Sequence, residues 1–284
     1  MRPTFVLITL LFALLMAAYL LLMPASGHFV RYLWWRTTAA QPVPGSVLSG
    51  DARIHYSRFG QGPALLLLHG GLSNRLSWFS QIPCLVQAGR QVIVVDTRGH
   101  GRSELGGREL SYRQFADDAV RVLDELGLAH TDVVGWSDGG NIGLLLGRYH
   151  PERINRIVAI SANYDPSGLT PEAHADATTP SQGMRYWLRR WWTHAGEHTG
   201  ELEQRIKRLW RTAPHLTADD LRAIPTPTLI IVGRNDVVSV DHAEEMAGLL
   251  PNSRLLILPD GHALPITHPD EINRAIGGFL FAPE

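Results

Sequence analysis

The chain has 284 residues, of which 45% are hydrophobic and 19% charged, with a formal net charge of −1. Such a length and composition suit one packed domain with room for an insertion, and exclude a small peptide scaffold or a disordered chain. The balanced charge excludes a general attraction to nucleic acid, and the single cysteine, Cys84, excludes an intrachain disulfide or a zinc centre built on several thiolates.

Thr4 to Met23 is a run of twenty residues without a charge, followed by Pro24, Ala25, Ser26 and Gly27. Twenty helical residues at about 1.5 Å each span the roughly 30 Å hydrocarbon layer. Residues 1–27 are therefore expected to be a single-pass membrane anchor that leaves the rest of the chain outside the cytoplasm. The alternative is a signal segment removed on export, with Ala25-Ser26-Gly27 as its small-residue cleavage site. Tyr32, Trp34 and Trp35 read either as an interfacial aromatic belt or as packing on the globular part. Residues 28–45, ending in Gln41-Pro-Val-Pro-Gly45, read as a linker.

Beyond the linker, strand and helix patterns alternate, the signature of an α/β fold with a mostly parallel central sheet flanked by helices. Ala52 to Arg58 alternates as an edge strand does, whereas Ala64 to Leu68 and Val92 to Val95 are short continuous apolar runs, as in buried parallel strands. Phe115, Ala119, Val122, Leu123 and Leu126 recur at helical spacing behind a capping box of Ser111 and Gln114, and Gly127 closes that helix. Further buried strands are expected at Ile157 to Ile160, Thr228 to Val232 and Leu255 to Leu258, with a last helix from Pro269 to about Phe281. The core then divides into 46–162 and 224–284. Between them, 163–223 lacks a strand pattern and carries Trp187, Trp191, Trp192 and Trp210, which reads as a helical cap. Its arginines, among them Arg185, Arg189 and Arg190, read as a solvated helix face.

The chemistry lies in Gly135-Trp136-Ser137-Asp138-Gly139-Gly140, a G-x-S-x-G turn between the strand at Val133-Val134 and the helical stretch from Ile142. Small residues are needed there because the sharp turn brings the flanking backbone against its neighbours and holds the serine strained and exposed. His69-Gly70-Gly71-Leu72 follows a buried strand, where a turn can aim a backbone amide at a developing oxyanion; the amide of Asp138 is the second donor. Gly233-Arg-Asn-Asp236 ends another strand, and Asp260-Gly261-His262 follows the next. Serine needs an imidazole within about 2.6–3.2 Å to take its proton, and the imidazole needs a carboxylate to fix its tautomer. His268 and Asp241 are rivals to His262 and Asp236, but both fall at or inside helices; His69 and His100 read as loop braces.

In this combination, together with Asp96-Thr-Arg-Gly-His-Gly-Arg-Ser103, the chain from Ala52 onward resembles the α/β-hydrolase family with a cap inserted. The resemblance implies Ser137 as nucleophile, His262 as general base, Asp236 as orienting carboxylate, and Gly71 and Asp138 as oxyanion-hole amides. The elbow is similar to that of the biphenyl hydrolase-like branch, which includes hydrolases of amino-acid esters. Asp138 is thereby a candidate counter-ion for a cationic substrate group, against the plainer role of a carboxylate favoured by the helix dipole. Leu72, Trp136, Asp138 and Trp187 are the expected substrate contacts. No metal motif, phosphate loop or dinucleotide fingerprint occurs, so no cofactor is expected.

The function expected is a serine hydrolase acting on a small carboxylic ester, thioester, lactone or amide. Acyl transfer or perhydrolysis at the same site is the near alternative, and a non-catalytic binding module the alternative of another class. A lipase acting at a membrane surface is a third reading, suited by the cap tryptophans. The oligomeric state is open.

Overall fold

The computed structural model describes residues 24–38, 41–193, 195 and 198–281. Eight strands, β1 (Val43–Ser49), β2 (Ala52–Phe59), β3 (Ala64–Leu68), β4 (Gln91–Asp96), β5 (Thr131–Trp136), β6 (Ile154–Ile160), β7 (Thr228–Gly233) and β8 (Ser253–Leu258), form one sheet in the order β1-β2-β4-β3-β5-β6-β7-β8. The β1–β2 and β2–β4 pairs are antiparallel and all later pairs parallel.

The apolar strands are continuous because both sheet faces are covered. In β3, Leu66 and Leu68 join one core with Ile93, Phe115, Val122 and Ile142, while Leu65 and Leu67 join the other with Trp78, Ile82, Leu85 and Ile276. Successive side chains of a strand point to opposite faces, so a run without polar residues is what a two-sided core requires. Helices α2 (Gln81–Gln87), α10 (Leu264–Thr267) and α11 (Pro269–Leu280) lie on one side, and α3 (Tyr112–Glu125) and α4 (Asp138–Tyr149) on the other. Of the capping box before α3, the serine half is present: Ser111 Oγ accepts from the Gln114 amide at 3.1 Å. Gly127 ends that helix at a φ of 64°.

At the N-terminal end the structure departs from expectation. The stretch read as a linker carries helix α1 (Pro24–Thr38) and the start of β1. Pro44 is tolerated because β1 is the outer strand of the sheet, where a missing N–H leaves no gap in an inner ladder. Consequently β2, read as an edge, lies one strand inward. His28, Tyr32 and Trp35 recur on one face of α1 and are buried, with the Trp35 ring 5.9 Å from that of Phe59, so the two aromatics pack on the core instead of forming a belt. Trp34, on the other face, is exposed.

The expected single-pass membrane placement is corrected. No helix among the described residues is long and apolar enough to cross a membrane. The segment that carried the expectation, Thr4 to Met23, lies outside the described residues.

Among the described residues between β6 and β7 stand four α-helices, α5 (Pro171–Thr178), α6 (Gly183–Thr193), α7 (Thr199–Thr212) and α8 (Ala218–Arg222). Buried charges tie three of them together. Lys207 Nζ on α7 donates to the Asp176 carbonyl of α5 at 2.6 Å, and Glu203 on α7 accepts from Arg189 of α6 at 3.3 Å. Of the four tryptophans, Trp187 and Trp191 face outward. Trp192 and Trp210 turn toward the core, with Trp192 Nε1 donating to Ser73 Oγ at 3.2 Å.

Candidate active site

Strand β5 turns directly into α4 at Ser137, whose φ of 56° and ψ of −120° are strained for a residue with a side chain. The flanking glycines make the turn possible. A Cβ on Gly135 would overlap the Gly139 carbonyl, and one on Gly139 would overlap the carbonyl of Leu68 at the end of β3. The serine is held by its own backbone: its amide donates to Ile160 at 2.8 Å, and its carbonyl accepts from Gly140 and Asn141 at 2.8 and 3.0 Å.

Asp236 follows β7 and His262 follows β8, two neighbouring parallel strands, so both arrive at the same sheet end as Ser137. His262 Nδ1 lies 2.6 Å from Asp236 Oδ1, and its Nε2 lies 3.0 Å from Ser137 Oγ. The carboxylate therefore selects the Nδ1–H tautomer and leaves Nε2 free to accept the serine proton. Burial alone would raise the Asp236 pKa. The hydrogen bond and charge of His262, with donors from Ser161 and Gly233, outweigh it and hold the carboxyl below its ordinary range. Ser161 Oγ donates to Asp236 Oδ2 at 2.5 Å and the Gly233 amide at 3.2 Å. Nothing in the sequence motifs marked Ser161, which stands at the end of β6.

The rivals stand apart. Asp241 lies inside α9 (Val240–Leu249), and His268 precedes α11 with its Nδ1 3.5 Å from Asp260.

His69 and His100 brace the loop after β3. The Thr97 amide donates to His69 Nε2 at 3.1 Å and the Leu72 amide to His100 Nε2 at 2.9 Å, so both rings present Nε2 as acceptor. Each Nδ1–H then donates to a carbonyl, His69 to Gly70 at 2.8 Å and His100 to Arg98 at 3.0 Å. Burial pushes their pKa values down to about 4 and about 3, so both are neutral at pH 7. With its N–H used in this way and a φ of 57°, Leu72 shapes the loop and does not line the cavity beside Ser137. Arg98 pins the following loop from inside, its guanidinium 2.7 Å from Asp118 and 2.8 Å from Asp51.

A cavity of about 310 Å³ opens beside Ser137 and His262, lined also by Tyr112, Asp138, Leu169, Glu172, Asp176, Trp210 and Val238. Two other expected substrate contacts do not reach it. Trp136 is buried beneath the histidine loop, donating from Nε1 to the His262 carbonyl at 2.8 Å. Trp187, spaced on the outer face of α6, is 63% exposed. Trp210 takes the place expected of Trp187, because the inner face of α7 is the one directed at the elbow.

Asp138 is 5% exposed. Its Oδ1 accepts from Tyr112 Oη at 2.9 Å and from Trp210 Nε1 at 2.8 Å. Its Oδ2 is buried without a hydrogen-bond partner and faces Gly71, where an added Cβ would overlap it. Burial raises its pKa to about 6, against the two donors that lower it. Tyr112 and Trp210 escaped sequence reasoning because one read only as part of a helix start and the other only as a cap aromatic. Among the described residues no group of three or more His, Cys, Asp and Glu side chains is arranged to hold a metal ion.

Comparison with known proteins places the chain. Residues 63–191 match a family profile described as alpha/beta hydrolase fold. A non-heme haloperoxidase of Rhodococcus erythropolis is 30% identical over 274 residues, covering 84% of this chain and 99% of the relative. A pimeloyl-(acyl-carrier protein) methyl ester esterase of Aeromonas hydrophila is 28% identical over 259 residues, covering 80% and 99%. Among solved structures, a 2-hydroxy-6-oxo-6-phenylhexa-2,4-dienoate hydrolase from Rhodococcus sp. strain RHA1 superposes with a TM-score of 0.74 at 18% identity, over 86% of this chain and 100% of that one. Identity extending over nearly the whole of a relative, on a sheet whose parallel strand ends converge at a serine turn, makes this chain an enzyme of the alpha/beta hydrolase family.

Proposed function

We propose that the protein cleaves small carboxylic esters through an acyl-enzyme, with Ser137 as nucleophile, His262 as general base and then acid, and Asp236 as the orienting carboxylate. The observation that carries this is the continuous hydrogen-bond chain from Asp236 through His262 to Ser137 Oγ, ending in a cavity. Oγ attacks the ester carbon as its proton passes to His262 Nε2. The oxyanion is received by the backbone amides of Gly71 and Asp138, and collapse expels the alcohol with that proton. Water, deprotonated by His262, then releases the acid and restores the serine. The serine is activated by the imidazole, and the charge of the imidazolium is balanced by Asp236, whose carboxyl stays ionised.

The test is hydrolysis of p-nitrophenyl esters of increasing acyl length by the full chain, with S137A as control and a fluorophosphonate probe as label. Turnover and labelling that both vanish in S137A support the reading, and the preferred acyl length sizes the cavity. A folded protein that neither turns over nor takes the label sinks it in favour of a binding module. Transfer of the acyl group to an alcohol or to hydrogen peroxide would pass through the same acyl-enzyme, so product partition between acid and ester or peracid separates hydrolysis from those alternatives.

The lining favours a narrower substrate class. Among the described residues, Asp138, Glu172 and Asp176 face the cavity, and neither lysine nor arginine lines it. Carboxyl side chains in the lining, with no cation to offset them there, suit an ester bearing an ammonium group. D138N keeps an acceptor for Tyr112 and Trp210 while removing the charge. It is expected to lower kcat/KM for a cationic ester about tenfold more than for its neutral isostere. Equal losses on the two esters would remove the cationic preference and leave the hydrolase reading intact.

A further inference from the structure

A second cavity, of about 260 Å³, lies between α1, the β1–β2 edge of the sheet and the turn after Asn74. Its lining includes Tyr32, Arg36, Pro44, Ser57, Arg75 and Arg102, and shares no residue with the cavity at Ser137. Three guanidinium groups thus border one hollow. Asp96, 1% exposed, compensates Arg75 from behind. Arg36 lies over the Tyr32 ring, with its guanidinium carbon 5.9 Å from the ring centre, and among the described residues neither Arg36 nor Arg102 has an ion-pair partner. Glu104, the next carboxylate along the Asp96 loop, is committed to the Arg53 amide at 2.8 Å. Tyr32, 3% exposed, sets a buried polar side chain in the wall, and Ser57 adds a hydroxyl.

Three guanidinium groups around one hollow, with Asp96 as the one carboxylate paired to them among the described residues, leave a positive field there that attracts an anion. We propose that this cavity binds a phosphate group, with Arg36 and Arg102 as its principal ligands and Arg75 as a third. Two uncompensated guanidinium groups match a phosphate dianion, and planar N–H forks suit its oxygens. A cavity of this volume holds several waters of about 30 Å³ each, so the phosphate has room for a small organic substituent. The site has a consequence for the loop beside the elbow. Asp96 accepts from the Arg75 amide at 3.1 Å and the Arg102 amide at 3.2 Å, so the bound anion would clamp the turn that follows Gly71-Leu72.

Calorimetry and thermal unfolding of the full chain, with inorganic phosphate and with glycerol 3-phosphate at constant ionic strength, test the proposal. Saturable binding is expected, weakened about tenfold in R36Q and in R102Q and abolished in the double variant. Ester hydrolysis by both variants remains at the level of the parent, which shows that they fold. Tighter binding of glycerol 3-phosphate than of inorganic phosphate would show that the anion arrives on an organic molecule, and equal binding that it is free phosphate; both outcomes support the site. Absence of saturable binding, stabilisation reproduced by chloride, or binding unaltered in both variants overturns it. So does competition of phosphate with the ester substrate, which would place the anion at Ser137.

Discussion

Asp236 is charged in a place where burial argues against charge, and four hydrogen bonds explain why: from His262, Ser161 and the amides of Gly233 and Val238. Replacing it with asparagine keeps the shape but favours the wrong imidazole tautomer, because the amide offers an N–H where the ring also has one. D236N is expected to lose about 10⁴-fold in kcat with KM nearly unchanged, read from steady-state ester hydrolysis. A loss confined to KM would show that Asp236 shapes the cavity and not the imidazole. At this scale the sequence was legible wherever chemistry fixes the residue type at a strand end, as at Ser137, Asp236 and His262. It was silent on Tyr112, Ser161 and Trp210, whose roles arise from contacts between residues far apart in the chain. Leu72 and Trp136 were misread for the same reason: adjacency to a motif residue says nothing about which side of the backbone a side chain takes.

The elements divide between those dictated by local pattern and those dictated by neighbours. The buried strands are evident because an uninterrupted apolar run serves only a two-sided core, and Leu65 to Leu68 fills both faces in alternation. The status of β2 was not evident, because alternation reports a half-buried strand and not whether another strand covers its edge. The cap shows the same limit. Its helices are amphipathic in sequence, yet only packing decides that α7 directs Trp210 to the elbow while α6 leaves Trp187 in solvent. W210F removes the indole N–H from Asp138 and loosens the cap over the cavity. It is expected to raise KM several-fold, whereas W187A changes kcat and KM by less than about twofold. Steady-state kinetics on one ester decide the matter. A larger effect from Trp187 would mean that α6 closes over the substrate in turnover and is the working face of the cap.

For the whole molecule, the buried titratable groups set how stability depends on pH. His69 and His100 have folded pKa values of about 4 and about 3, pushed down chiefly by burial. The unfolded chain therefore takes up protons near pH 6.5 that the folded chain refuses, and their contribution is lost as the pH falls below that value. His242 and His55 are lowered by burial in the same sense. Asp138, raised by burial to about 6, acts oppositely: folded protein holds its proton between about pH 4 and 6 while unfolded chain has released it, so acid favours the fold there. Asp236 and Glu203, whose pKa values are lowered, keep their contribution until the pH drops through the ordinary carboxylate range. From pH 7.5 to 5.0 the two buried imidazoles lose about 2 kcal/mol each and Asp138 returns about 1, so these three groups lose about 3 kcal/mol, to which His242 and His55 add in the same direction. Urea unfolding at the two pH values measures it, and D138N should increase the loss by the part that Asp138 supplied. A stability that stays level would mean that His69 and His100 accept protons in the folded state. The hydrogen bond from Leu72 to His100, and with it the loop that carries Gly71, would then be arranged differently from the one described.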